Sequence, residues 1–308
     1  MTKEDILLLR NFRRKTINVC NCIYKRKWDI VCEEWNNLEL EFYDVLTKNI
    51  ACNDNLKECR SCVKKGNYLR LLDLLLYGID PLVVQCLCNV GTEDRLILAR
   101  EAEMANKKVL QTLYHDIFKL IENENSNSRI ECRYEGTENV ELSIIDNKYK
   151  FRLFSKINPW LESQELVNGM GKRKFEEIYV LGFGGGYLIE QLTKKFSDSK
   201  IKVYLPNIDI FKTVICNIPV SNILQNKNLD ICTDTMCLNF FLGFENKTDK
   251  NIGYYVDRQE LRACVKDINV FKKLMESYKK KQKKCDIIKE KVGVKIEKCI
   301  SGLTCNSL

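Results

Sequence analysis

The sequence holds one histidine, His115, and four prolines in 308 residues. A lone histidine all but removes mixed cysteine–histidine metal sites, which need both ligand types at short spacing. So few prolines, with only 14 glycines, leave no composition for a long flexible linker. The opening MTKEDILLLRNFRRK carries Glu4 and Asp5 and a short apolar run. It lacks the longer apolar segment and small-residue cleavage site of a secretory leader. The most apolar stretch, 68–90, contains Arg70, Asp73, Asp80 and Pro81. It therefore lacks the roughly 20 uninterrupted apolar residues that a bilayer crossing needs. These absences predict a cytoplasmic protein with no membrane span.

What is present fits a soluble globular chain, with 45% apolar and 30% charged residues. The net charge of +8 is concentrated: residues 272–298 hold eleven lysines against Glu276, Asp286, Glu290 and Glu297, a local +7. The rest is nearly neutral, without the basic face that a nucleic-acid-binding body shows, so nucleic acid is not an expected partner. The sixteen cysteines read as reduced thiols in a chain with no export signal. Only Cys59-x-x-Cys62 has zinc-knuckle spacing, and no second such pair follows. The pair is a weak metal candidate; small buried hydrophobes are the plainer reading of these cysteines.

Residues 1 to about 125 show helical periodicity. Trp28, Val31, Cys32, Trp35, Leu38, Phe42 and Leu46 recur at steps of three and four. NYLRLLDLLLYGIDP predicts one helix closed by Gly78 and Pro81. EDRLILAREAEMANKKVLQTLYHDIFKLIENEN predicts a long amphipathic helix striped by Leu96, Leu110, Leu113, Ile117 and Leu120, with His115 exposed on it. No strict 33- or 34-residue period supports a repeat array. After the polar break at 123–129 the period changes to two. Val140, Leu142 and Ile144, then Tyr149, Phe151 and Leu153, flank the turn signal DNK and predict a β-hairpin.

From 178 onward strands and helices alternate, which predicts a parallel sheet with right-handed crossovers. The strands fall at 178–181, 201–205, near Leu229 and Ile231, and at 251–256. Leu188, Leu192 and Phe196 stripe the first helix; Phe211, Val214, Ile215 and Ile218 stripe the second. A final helix is expected over 262 to about 292.

Between the first strand and its helix lies Gly182-Phe183-Gly184-Gly185-Gly186-Tyr187. Glycines serve there for unusual backbone angles, or for close approach of a ligand to bare backbone at a helix N-terminus. The dinucleotide fingerprint fails, because its sixth position is Tyr187. The G-x-G-x-G spacing matches loops of S-adenosylmethionine-dependent methyltransferases, so a nucleotide is the cofactor class to test. Val180 and Leu205 stand where such an enzyme carries acids. Leucine at the ribose-gripping position leaves hydroxyls unpaired, at roughly 1–3 kcal/mol each. Asp209 reads as a cap for the following helix.

Three stretches, FRLFSKINPWLESQELV, IYVLGFGGGYLIEQL and IKVYLPNIDIFKTVI, together resemble the amino-terminal domain of motility accessory factor glycosyltransferases. Ser155, Lys156, Asn158, Pro159 and Glu162 match the family's S-K-x-N-P stretch and following acids. Gly182, Phe183, Gly184, Gly186 and Tyr187 match its G-F-G-x-G-Y loop. Pro206 and Asn207 match two residues of its E-P-N, with Leu205 in place of the acid. The resemblance covers about 93–280. It implies a Rossmann-like domain of a family that moves nonulosonic sugars from a CMP-activated donor to serine or threonine of flagellin, for the bacterial flagellum. In that family the chemistry belongs to a domain downstream of this one, so no catalytic residue carries over.

The expected architecture is thus α/β: a Rossmann-like, mostly parallel sheet with a preceding β-hairpin, plus an N-terminal all-helical region. The expected divisions are 1–92 helical, 93–280 α/β, and 281–308 a basic tail. The expected function is an accessory or truncated relative of the glycosyltransferases, with flagellin or a sugar-transfer enzyme as partner. The alternative is an S-adenosylmethionine- or nucleotide-binding enzyme. Candidate ligand-binding residues are Gly182, Gly184, Gly185, Gly186, Tyr187 and Asn207. Asn207 also fits a residue that closes its own turn.

Overall fold

The structure, a computed structural model, describes residues 1–50, 52–123, 130–138, 140–146, 149–155, 158–171, 174–234, 240, 252–264 and 276. The expected helix beyond 264, apart from Glu276, the turn residues 147–148, Lys156 and the basic tail lie outside these residues. The chain is mixed α/β and divides into two compact units. Unit 1 comprises 1–101, 132–142 and 154–161; unit 2 comprises 102–131, 143–153 and 162–308.

Unit 1 is built from α1 (Lys3–Tyr24), α2 (Trp28–Asn49), α3 (Asn53–Lys64), α4 (Tyr68–Asp73), a π-helical segment (Leu74–Ile79) and α5 (Asp80–Cys88), followed by the start of α6 (Thr92–Leu113). Thr2 caps α1 through a capping box with Asp5. Val31, Trp35, Leu38, Phe42 and Leu46 of the expected stripe are all buried, and Trp28 at its start is exposed. Arg13 holds Asp80 in a two-pronged ion pair, Nε–Oδ1 2.6 Å and Nη2–Oδ2 3.2 Å. Arg10 donates to the carbonyl of Thr137, and Arg14 pairs with Glu138 and lies over the ring of Trp160. Those contacts explain why two segments distant in sequence belong to this unit.

Gly78 and Pro81 do not close the helix expected over NYLRLLDLLLYGIDP, which runs on to Cys88. Proline inside a helix clashes with the carbonyl four residues earlier. Here the wide π-helical turn immediately precedes it, and Pro81 sits at the first turn of α5. The unbroken helix Tyr68–Cys88 is therefore long and apolar enough to cross a membrane by length and composition alone. Within unit 1, Leu71, Leu72, Leu74, Leu75, Ile79, Val83 and Leu87 are part of the hydrophobic core.

The two helix pairs of unit 1 repeat one turn at an offset of 40 residues. Lys25, Arg26 and Lys27 donate to the carbonyls of Asn21, Ile23 and Cys22; Lys65, Gly66 and Asn67 donate to those of Ser61, Val63 and Cys62. The middle residue is left-handed in both, Arg26 at φ 54° and Gly66 at φ 66°. The aromatic residues that follow, Trp28 and Tyr68, stack with centroids 5.2 Å apart. A non-glycine residue in this conformation costs roughly 1–2 kcal/mol, part of which glycine gives back as chain entropy. Arg26→Gly is therefore expected to stabilise the protein by about 0.5–1 kcal/mol in urea denaturation. A loss of stability would mean that the Arg26 side chain contributes more than its backbone costs.

Unit 2 takes the rest of α6, then α7 (His115–Asn123), with β1 (Ile130–Arg133), β2 (Glu141–Asp146) and β3 (Tyr149–Arg152) following in the chain. The single long helix expected over 93–125 is interrupted at Tyr114, whose hydroxyl donates to the carbonyl of Leu229 at 3.0 Å. Leu113 and Leu120 are consequently exposed, and Val109, Leu110, Ile117 and Ile121 face inward. His115 is exposed, as expected. Strands β2 and β3 form the expected antiparallel hairpin, Ser143 opposite Arg152 and Ile144 opposite Phe151. Strand β1, which adds to the other edge of β2, was not foreseen. After it come α8 (Pro159–Gly169), β4 (Glu177–Leu181), α9 (Tyr187–Lys195), β5 (Lys200–Leu205), α10 (Ile208–Asn217), α11 (Ser221–Leu224), β6 (Leu229–Thr233), β7 (Ile252–Val256) and α12 (Arg258–Cys264).

The four strands β4–β7 form a parallel sheet in the order β6-β5-β4-β7. The chain steps outward from β4 to β5 and β6, then returns to the other side of β4 for β7. Tyr179, Tyr204, Phe240 and Tyr254 pack edge to face beside Leu181, Val256 and Leu261. Phe211, Val214, Ile215 and Ile218 are buried as expected; on α9 the inward residue is Ile189 rather than Leu188.

Candidate functional site

The reversal of strand order puts a crevice at the carboxyl ends of β4 and β7, the place where open α/β sheets bind ligands. The glycine loop lies there. Gly182, Gly184 and Gly186 have φ of 94°, 56° and 82°, so the G-x-G-x-G spacing marks three left-handed residues in the turn from β4 to α9. Gly186 is the N-cap of α9, and Gly185 and Tyr187 are buried beside it. A side chain at Gly186 would meet Val220 Cγ1 at 2.9 Å, and one at Gly182 would meet Asp257 Cβ at 2.6 Å. The close approach that glycine permits is thus made by the chain itself.

The residues that make this approach, Asp257 and Glu260, were not singled out in the sequence. They stand in Asp257-Arg258-Gln259-Glu260, directly after β7, a spacing that signals a capping box. Asp257 does cap α12, its Oδ1 accepting from the N–H of Gln259 at 2.9 Å and of Glu260 at 3.0 Å. The box is not completed, because the N–H of Asp257 donates to the carbonyl of Leu181 at 2.7 Å. Glu260 is released from its usual partner and reaches the glycine loop, where its Oε1 accepts from the N–H of Gly184 at 2.5 Å. The N–H of Phe183 also stabilises its charged form.

Glu260 is 1% exposed. Burial, followed by the charge of Asp257, pushes its pKa up to about 8 against the pull of the two loop amides. Burial also raises Asp257, to about 6, with the amides of Glu260 and Gln259 opposing and the carboxylate of Glu162 on α8 adding to the rise. The two acids lie close together where water is scarce, so one proton is retained between them at neutral pH.

The other expected residues serve as structure. Asn207 is the N-cap of α10, its Oδ1 accepting from the N–H of Asp209 at 2.9 Å and of Ile210 at 3.2 Å. The cap is therefore Asn207, and Asp209, which the sequence suggested for that role, is the second residue of the helix. An asparagine two residues before the second helical position has the better geometry for it. Leu205 and Val180 are fully buried in the sheet. Of the S-K-x-N-P stretch, Asn158 accepts from the N–H of Leu161 at 3.0 Å and Pro159 opens α8, a helix start by capping asparagine and leading proline. Cys59 and Cys62 lie on α3 within the unit 1 core. Burial, with nearby thiols and acids adding, pushes the Cys59 thiol up to about 12, and burial raises Cys62. Among the described residues no group of three or more His, Cys, Asp or Glu is placed to hold a metal ion. A cavity of about 450 Å³ lies in unit 1, lined by Met1, Asn49, Gln85, Cys86 and Asp94 among others, and not at the glycine loop.

Comparison with protein-family models, with curated proteins and with solved structures finds no match to this chain.

Proposed function

We propose that this chain is a non-catalytic accessory protein of the motility accessory factor type, in which a Rossmann-like unit and a helical unit hold a partner chain. The observation that carries the reading is the occupation of the loop amides by Glu260, beside a sheet edge where Leu205 replaces an acid. A loop whose Phe183 and Gly184 amides are taken by the protein's own carboxyl does not offer those two donors to the phosphate or carboxylate of a nucleotide cofactor. Support for the Rossmann-like character comes from the parallel order β6-β5-β4-β7. Support for the kinship rests on the three quoted motifs, which fall on the start of α8, the loop before α9 and the start of α10. Flagellin or a sugar-transfer enzyme is the proposed partner, and the cytoplasm the proposed compartment.

Immobilised full-length protein should retain flagellin, or an enzyme that transfers nonulosonic sugars, from a flagellated host. Its melting temperature should be unmoved by millimolar CMP or S-adenosylmethionine. Recovery of neither protein in repeated trials ends the reading. The second reading, a nucleotide-binding enzyme, keeps one argument: the loop lies at the switch in strand order, where such ligands bind. It requires a shift with one of those ligands that Gly184→Val abolishes.

A further inference from the structure

The corner formed by Asp257 and α12 closes over the glycine loop. Leu261 is fully buried among the aromatic rings of the sheet, Cys264 Sγ donates to the carbonyl of Pro206 at 3.3 Å, and Arg262 lies over the ring of Phe151 at 5.3 Å. The N–H of Asp257 donates to the carbonyl of Leu181 at 2.7 Å, and Glu260 is bound to the loop amides. Asp257, which retains some exposure, stands at the N-terminus of α12, where two N–H groups and the helix dipole favour a charged carboxylate. Glu260 is almost wholly withdrawn from solvent, and among the described residues the amides that favour its charge are those of the loop.

Among the described residues, the charged groups that shift the pKa values of the pair add negative charge rather than offset it. The influence that reaches Asp257 from another element is Glu162 of α8, also acidic. On α12 itself, Arg262 is turned to Phe151, and Arg258 adjoins Asp257 in the chain. The loop residues 182–187 contribute no charge, Tyr187 being their one ionisable side chain.

We propose that α12 is a proton-held latch on the glycine loop: it stays closed while Asp257 and Glu260 retain one proton between them, and it lifts to uncover the amides of Phe183 and Gly184 when both are ionised. The direction follows from the linkage rule. A carboxyl whose folded pKa is raised contributes stability that is complete below its ordinary value near 4.5 and is lost as pH rises through the folded value, for Glu260 about 8. The latch is therefore firm on the acid side of neutrality and weak on the alkaline side.

Amide hydrogen exchange on the full chain tests this, with rates corrected for the intrinsic effect of pH. Between pH 6.5 and pH 9 the protection of Gly184 is expected to fall at least about tenfold, and that of Val203, central in β5, to stay level. In Glu260→Gln, which keeps the shape and an accepting oxygen but cannot ionise, Gly184 protection is expected to be level across the range. Level protection of Gly184 in the unmodified protein overturns the proposal, whether or not the variant folds. So does an equal fall at Gly184 and Val203, which would report general loosening, or a fall in Glu260→Gln matching the unmodified chain.

Discussion

Replacing Asn106 with leucine is expected to destabilise the protein by about 3–5 kcal/mol, the lower part of the sum for three buried backbone groups stripped of their partner at roughly 1–3 kcal/mol each. Asn106 has no exposed surface. Its Nδ2 donates to the carbonyls of Ile215 at 2.8 Å and Ile218 at 2.7 Å, and its Oδ1 accepts from the N–H of Val220 at 3.0 Å. Those groups belong to the end of α10 and the turn beyond it, where a helix leaves its last carbonyls without intrahelical donors. One side chain on α6 thus closes the helix that follows β5. Leucine keeps the branching and heavy-atom count of asparagine but carries no polar group, so what is lost is the hydrogen bonding. Since a domain is stable by only about 5–15 kcal/mol, the loss should be plain in the urea midpoint followed by circular dichroism. A change under about 1 kcal/mol would mean that water replaces the amide without penalty.

The second large effect is expected at Gly182. Alanine there adopts φ 94° with a methyl group 2.6 Å from Asp257 Cβ and 3.1 Å from Glu260 Cδ. The backbone conformation costs roughly 1–2 kcal/mol for any other residue, and forcing atoms into a packed contact a further 1–3. Gly171 supplies the control: its φ is 70°, and nothing lies within 4 Å of where a side-chain carbon would stand. Gly171→Ala should show the backbone cost alone, and Gly182→Ala should exceed it by at least about 1 kcal/mol. Equal costs would mean that the corner after β7 does not rest on the loop.

The parallel sheet was legible because β4 and β5 are short apolar runs each followed by a helical stripe, a pattern that few other arrangements satisfy. The hairpin was legible for the same reason, since alternation on both sides of a turn signal has one simple solution. Besides β1, three features of the fold escaped. The break at Tyr114, whose hydroxyl bonds the carbonyl of Leu229 115 residues away, has no mark in the local pattern. The continuation of the helix through Pro81 depends on a wide turn whose sequence differs little from an ordinary helix. The 40-residue echo in unit 1 was hidden because only its turn is repeated in outline. Lys25 and Lys65, and the aromatics Trp28 and Tyr68, recur in register, but the flanking helices diverge.

At the site, the glycines were visible and the residue filling their cradle was not. Asp257 and Glu260 carry the spacing of an ordinary helix start, and local reasoning would have sent Glu260 back to its own cap. Only the pairing of β7 with β4 consumes the Asp257 N–H and turns that glutamate outward to the loop. Sequence patterns report what neighbours along the chain do, and this contact is made between positions 76 apart.

That separation also has a meaning in time. A ribosome adds roughly 5–20 residues per second, so Gly184 leaves the synthesis site about 4–15 seconds before Glu260 is made. Throughout that interval the nascent turn has its donors unclaimed. Whatever small anion or chaperone surface the cell offers in those seconds meets a binding groove that the finished polypeptide later keeps for itself.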